Sequence, residues 1–136
     1  MIQIIDASVA VKWFAAEEHF KAEALEILDK IKDSPREFAV PELFFNEMLS
    51  VLCRLLHDPL QIQGFMNDLQ DLGFARLGNG RETLSQATLL AKKFNLSGYD
   101  AIYAANAKLT QGVWITADGE AHKKIVGLRL SRYLGD

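Results

Sequence analysis

Asp6, Glu47, Asp100 and Asp118 are the residues of this chain whose types and surroundings best suit chemistry. Asp6 follows the apolar run Ile2-Gln3-Ile4-Ile5, and Asp118 follows Val113-Trp114-Ile115-Thr116. Glu47 lies in a segment otherwise built of Leu, Phe, Met and Val, and Asp100 opens an alanine-rich one. In an open parallel α/β sheet the strand carboxyl ends share one edge, and ligands bind there. Segments arranged that way would bring these carboxylates to one pocket. Like charges at close range do not all stay ionised without a compensating partner. Oxygen donors select a hard divalent cation, Mg²⁺ or Mn²⁺, as that partner. Such a site suits metal-assisted hydrolysis of a phosphodiester. Asp6, Asp100 and Asp118 are then the expected metal ligands, Asp118 directly or through water. Glu47 binds a second ion or orients the attacking water, so one-metal and two-metal chemistry both stay open.

Each acid also has a simpler reading. Asp is a common N-cap, which would account for Asp6 before Ala7 and for Asp118 before Gly119. Ser97-Gly98-Tyr99-Asp100 resembles a capping box. Glu47 is harder to explain away, because Phe44, Phe45, Met48 and Leu49 surround it and an unpaired buried carboxylate is costly. Its alternative is a loose pairing with Arg54, two turns further along a helix.

The elements that must position these residues alternate in type. Ile2 to Ile5 reads as a short buried strand, β-branched and stopped by Asp6. Ala7 to Phe14 reads as a short helix, and about Glu18 to Asp33 as a second, with Ala24, Leu25, Ile27, Leu28 and Ile31 as its apolar stripe. Ser34-Pro35-Arg36 breaks it. Glu37 to Val40 is a second strand, and Pro41 suits the first turn of the next helix, about Pro41 to His57. That helix is apolar almost all round and is expected to be buried on more than one side. Phe44 and Phe45 are adjacent, so one is expected to face the core and the other an interface.

Asp58-Pro59 supplies N-cap and N1 of another helix, ending near Gly73. Phe74 to Leu77 is a third strand, followed by a helical stripe of Leu84, Ala87, Leu90, Ala91 and Phe94. Asp100 to Leu109 is rich in Ala, which lets a helix pack close to a sheet. Val113 to Thr116 is a fourth strand, a short helix follows Asp118, and a last strand begins at Leu128 to Leu130 and runs towards Tyr133. Strands and helices in this order imply βαβ units and a mainly parallel sheet.

The bulk numbers fit that reading. A chain of 136 residues suits one domain, residues 1–136, with 49% hydrophobic and 24% charged residues, as in ordinary globular proteins. No apolar run approaches the roughly 20 residues that span a bilayer, and MIQIID lacks the basic and small-residue marks of a signal peptide. The one cysteine, Cys53, cannot make an internal disulfide, and is expected as a small core residue. A cytoplasmic location follows as the expectation. The net charge of −3 argues mildly against a large nucleic-acid footprint.

The ordered motifs carry a family likeness. Ile4-Ile5-Asp6-Ala7-Ser8-Val9 runs into Val11-Lys12-Trp13-Phe14; Pro41-Glu42-Leu43 leads to Glu47; then come Ser97-Gly98-Tyr99-Asp100-Ala101 and Trp114-Ile115-Thr116-Ala117-Asp118. Over essentially its whole length the chain resembles the PIN-domain family, and more narrowly the VapC-type toxin ribonucleases of VapBC toxin–antitoxin pairs. The resemblance implies a Rossmann-like three-layer α/β/α fold with a mainly parallel sheet. It implies Mg²⁺- or Mn²⁺-dependent cleavage of RNA, a homodimer, and inhibition by a VapB-type antitoxin. It assigns the acidic site to Asp6, Glu47, Asp100 and Asp118, with Ser8 and Thr116 as supporting hydroxyls. Gly119-Glu120-Ala121-His122 departs from the family, in which a basic residue often follows the last aspartate.

Lys12, His122, Lys123 and Lys124 are candidate phosphate contacts, against the simpler reading of a solvated charged face. His19, His57 and His122 have no ligand-like spacing and are expected at the surface. The apolar excess of Leu43 to Leu56, continued by Leu60, Ile62 and Phe65, is either core or a surface for a second copy or a partner helix. Rival functions are a receiver-like phosphoacceptor module, a non-catalytic interaction module on the same fold, and a PIN nuclease acting outside a toxin pair on RNA or DNA. The receiver needs an acidic pair after its first strand, and here Ala7 follows Asp6.

Overall fold

The computed structural model describes residues 1–15 and 19–136. Its strands are β1 (Gln3–Ile5), β2 (Phe38–Pro41), β3 (Ala75–Leu77), β4 (Val113–Thr116) and β5 (Ser131–Tyr133). The helices are α1 (Ala7–Ala10), α2 (Lys21–Asp33), α3 (Glu42–Leu55), α4 (Pro59–Gln70), α5 (Arg81–Phe94), α6 (Gly98–Thr110) and α7 (Gly119–Ile125). The sheet order is β3-β2-β1-β4-β5, and every pairing is parallel. The mainly parallel sheet expected from the alternation is therefore parallel throughout. Helices flank it to give three α/β/α layers. Strand order runs outward from β1 through β2 to β3, then restarts on the other side with β4. The β1/β4 seam is thus the topological switch point, where this kind of sheet opens a crevice at its carboxyl edge. Asp6 and Asp118 follow those two strands.

Several boundaries differ from expectation for identifiable reasons. The stretch after Asp6 is helical, but it tightens into a 3-10 turn at Val11–Trp13, where the Trp13 indole donates to the carbonyl of Ala24 at 2.8 Å. The predicted start of the second helix at Glu18 lies outside the described residues; α2 begins at Lys21. Glu37 closes a 3-10 turn rather than opening β2. Pro41 ends β2 with ψ 157° and caps α3, because a ring-locked φ of −69° serves extended backbone as well as a first helical turn. Leu128 belongs to a 3-10 turn, and Arg129 at φ 58° reverses the chain before β5 starts at Ser131. Asp58 caps α4 as expected, its carboxylate accepting from Leu60 N–H at 3.0 Å.

The core is dominated by Trp114, Tyr103, Phe38, Phe44 and Met48, all under 2% or so exposed. Tyr103 and Trp114 stack at 5.9 Å with 15° between their planes, joining α6 to β4. Phe44 and Phe45 are both buried, so the expected split between core and interface does not occur. Phe45 packs on Phe74, and the Arg76 guanidinium covers its ring at 4.1 Å. Leucines at other positions of α3 face outward instead: Leu49 and Leu55 are close to half exposed. Cys53 lies four residues from Leu49, shares that outer face and is exposed, not a core residue. Gly112 is required by close approach, because a Cβ there would collide with the Ile2 carbonyl, while the next N–H, of Val113, bonds that same oxygen at 2.9 Å.

Candidate active site

Asp6 is fixed by its backbone before its side chain is considered. Its N–H continues the β1–β4 ladder to Ile115 O at 3.1 Å, and its carbonyl accepts from Val9 and Ala10 as α1 begins. It stands at the N-cap position, yet the carboxylate makes no capping bond. Oδ2 instead accepts from Thr116 Oγ1 at 2.6 Å and from Ser8 Oγ at 2.9 Å. The two hydroxyls lie 3.3 Å apart, but each has one proton and both protons point to Asp6. Their lone pairs then organise the neighbouring loop: Ser8 accepts from Ala117 N–H at 2.9 Å and Thr116 from Asp118 N–H at 3.0 Å. One buried carboxylate thereby sets the position of the Asp118 turn through two hydroxyls.

Burial pushes the Asp6 carboxyl up to about 6; Thr116 and Ser8 pull it back, and the charge of Asp100 adds to the rise. Glu47, half-buried on α3, is pushed up to about 7, first by burial and then by Asp6 and Asp100, with a hydrogen bond from Tyr103 opposing. That bond runs from Tyr103 Oη to Glu47 Oε1 at 2.8 Å. The partner of Glu47 is therefore Tyr103, not Arg54. Asp100 is raised by burial and by Asp118, and lowered by Ser97 and Lys124. It sits in the first turn of α6, whose Ser97 cap accepts from Asp100 N–H at 3.1 Å. Asp118 is exposed and caps α7, Oδ1 accepting from Glu120 and Ala121 N–H at 3.1 and 3.2 Å. The capping reading holds for Asp118 and for Ser97, and it fails for Asp6.

The fold thus brings Asp6, Ser8 and Thr116 into direct contact, and places Glu47, Asp100 and Asp118 within electrostatic reach of them or of one another. Lys12 is buried in the turn after α1. Lys123 is exposed, 4.0 Å from Glu120. His122 Nδ1 lies 2.7 Å from Ser131 Oγ, and its ring stacks on Tyr133. His19 and His57 are exposed, as expected, whereas the His122 side chain is mostly covered, at 14% exposure. Lys124 donates to the Asn95 carbonyl at 2.9 Å and is the cation that reaches Asp100. Tyr103 is the site residue that reading the sequence missed. The available signal was its place three residues after Asp100, a large polar ring in an otherwise alanine-rich helix.

Among the described residues no three His, Cys, Asp or Glu side chains stand together as a ready ligand cage. The donor set nonetheless fits a hard cation. It is all oxygen, and three of its carboxyls are held above their ordinary values partly by one another. Mg²⁺ keeps several waters and needs only one or two direct carboxylates.

Comparison with known proteins agrees with the fold. The chain is similar to a toxin–antitoxin complex from Klebsiella pneumoniae, with 18% identity, TM-score 0.74 and 97% of each chain covered. It is similar to FitAcB from Neisseria gonorrhoeae, with 14% identity, TM-score 0.74, and 98% of this chain and 99% of that chain covered. It is also similar to VapBC2 from Rickettsia felis bound to a DNA fragment from their promoter, with 14% identity, TM-score 0.72 and 98% of each chain covered. A search of curated proteins found no matching relative. The model of the PIN domain family matches residues 4–127. With a parallel sheet in switch-point order and acids at its carboxyl edge, the chain belongs to the PIN domain family.

Proposed function

We propose that this protein is a Mg²⁺- or Mn²⁺-dependent endoribonuclease and the VapC-type toxin of a toxin–antitoxin pair. The observation that carries the catalytic part is the buried Asp6 carboxylate at the switch point, held by two hydroxyls and crowded by the charge of Asp100. Asp6 and Asp100 would hold the cation, with Asp118 joining directly or through water. Bound there, it supplies Lewis acidity, lowering the pKa of water and stabilising charge on the phosphate. Glu47 accepts the proton of the attacking water, since a carboxyl near pH 7 is matched to that task. The water oxygen joins phosphorus as the P–O bond to the leaving ribose oxygen breaks, and that oxygen takes up a proton from solvent. Tyr103 keeps Glu47 turned into the site through its hydroxyl proton. Ser8 and Thr116 hold Asp6 and, through the loop, Asp118.

The toxin part draws on the similar structures, which are a toxin–antitoxin complex, VapBC2 and FitAcB. A VapB-type antitoxin is the proposed partner. A homodimer is proposed from the same likeness and from the exposed leucines Leu49, Leu55 and Leu60. Among the described residues no helix is long and apolar enough to cross a membrane, and a cytoplasmic location is proposed with the toxin reading. The test is cleavage of single-stranded RNA with Mg²⁺, with EDTA, and by Asp6→Asn. Cleavage that EDTA and the substitution both abolish supports the reading, and cleavage indifferent to both overturns it.

A further inference from the structure

Tyr99 stands one residue before Asp100 and is 63% exposed, a large aromatic ring in water at the edge of the acidic site. Its neighbour in space is a cleft of about 330 Å³ lined by Leu43, Asn46, Glu47, Ser50, Val51 and Tyr99. Glu47 is therefore both a member of the acidic set and part of this cleft's wall. The same ring also borders a second cleft, of about 390 Å³, towards α5 and Lys92. An exposed ring with a hollow on each side is poor packing for a monomer core and a suitable platform for a flat ligand. The first cleft lies at the small end of the roughly 300–1,000 Å³ range of ligand sites, room for one unstacked base but not for a duplex. Its walls suit that shape: Leu43 and Val51 are apolar, while Asn46 and Ser50 offer donors and acceptors to a base edge.

We infer that this cleft is a nucleobase subsite, with Tyr99 the stacking platform for a single-stranded base beside the scissile phosphate. This deepens the nuclease reading and rests on it. Sequence-specific recognition of RNA works chiefly on unstacked bases laid against aromatic rings. A single phenol ring tolerates any base face, so Tyr99 supplies affinity, while Asn46 and Ser50 discriminate between base edges. Lys92, across the ring, is placed to meet a phosphate of the strand as it leaves. Tyr99 is a specificity-determining residue on this account, not a catalytic one.

The test compares wild type with Tyr99→Ala, Tyr99→Phe and Asn46→Ala. Binding of a fluorescein-labelled single-stranded RNA decamer is read by anisotropy with Ca²⁺ in place of Mg²⁺, and cleavage is read as kcat and KM with Mg²⁺. Tyr99 is exposed, so Tyr99→Ala should fold, which a melting curve checks. The expected result is a Kd and KM weakened by about tenfold to a hundredfold in Tyr99→Ala, with kcat within about threefold of wild type. Tyr99→Phe, which keeps the ring, should bind within about threefold. Asn46→Ala should alter which bases flank the cut sites, read by sequencing RNA ends. An active wild type with Tyr99→Ala equal to it in Kd and KM overturns the subsite while leaving the nuclease reading intact. Unchanged RNA binding with lost affinity for a co-expressed antitoxin overturns it in favour of a protein-binding cleft. A wild type that binds Mn²⁺ but neither binds nor cleaves RNA overturns the nuclease reading and the subsite with it.

Discussion

Asp6, Thr116 and Ser8 act as one unit, the two hydroxyls sharing one carboxylate oxygen. Asp6→Asn keeps the side-chain shape but removes the charge, so it should abolish measurable cleavage and weaken Mn²⁺ binding in a calorimetric titration. Thr116→Val keeps the volume and removes both the proton given to Asp6 and the acceptor for Asp118 N–H. A loss of about ten- to a hundredfold in cleavage rate is expected, as for other groups that orient metal ligands. Tyr103→Phe removes the donor that holds Glu47 and lowers its carboxyl. Glu47 then holds its proton above about 7, so Mn²⁺ affinity measured near neutral pH should fall and recover as pH is raised. The sequence marked out the acids because Asp6 and Asp118 follow strand-like runs, Glu47 interrupts an apolar helix and Asp100 opens an alanine-rich one. Ser8 and Thr116 came forward only through the family likeness and Tyr103 was missed, because the Thr116–Asp6 and Tyr103–Glu47 bonds join residues 110 and 56 positions apart that only the tertiary fold brings together.

Element by element, the local signals carried most of the fold. Asp58-Pro59 and Ser97 announced their helices, and the apolar runs before Asp6 and Asp118 announced the central strands. What local pattern left open was which face of an apolar helix meets the core. Phe45 and Cys53 on α3 illustrate it: Phe74 and Arg76 cover Phe45, whereas among the described residues Leu49 and Cys53 stay exposed. The last strand was placed early because the positive φ of Arg129 leaves no strong mark on composition. The joint between α6 and β4 gives a direct check on the architecture. Gly112→Ala forces a methyl against the Ile2 carbonyl at the head of the switch-point seam. Destabilisation of about 1–3 kcal/mol is expected, read by urea denaturation. A neutral result would mean that the two strands do not meet as described.

For the whole molecule, the crowded carboxyls make stability depend on pH and on cations. Asp6 at about 6 and Glu47 at about 7 lie above their ordinary values of 3.8 and 4.5. The folded state thus holds protons that the unfolded chain has already released, and stability must fall as pH rises between each pair of values. The metal-free protein should melt at progressively lower temperature from about pH 4 to about pH 7. A bound divalent cation reverses the penalty, so Mn²⁺ should raise the melting temperature more near pH 7.5 than near pH 5, by roughly RT ln(1 + [L]/Kd) at each pH. The proposed antitoxin partner should act in the same direction by mass action. The proposed homodimer should appear in sedimentation at micromolar concentration, and should weaken when Leu49 and Leu55 are replaced by Ser.

The most direct measurement is an anomalous difference map from crystals grown with MnCl₂. The proposed site requires a peak at the carboxyl edge of the β1/β4 seam, with Asp6 and Asp100 carboxylate oxygens bound to it and the peak absent in Asp6→Asn crystals. A map with no peak there, or one in which Lys124 or an arginine neutralises those carboxylates instead, would contradict it.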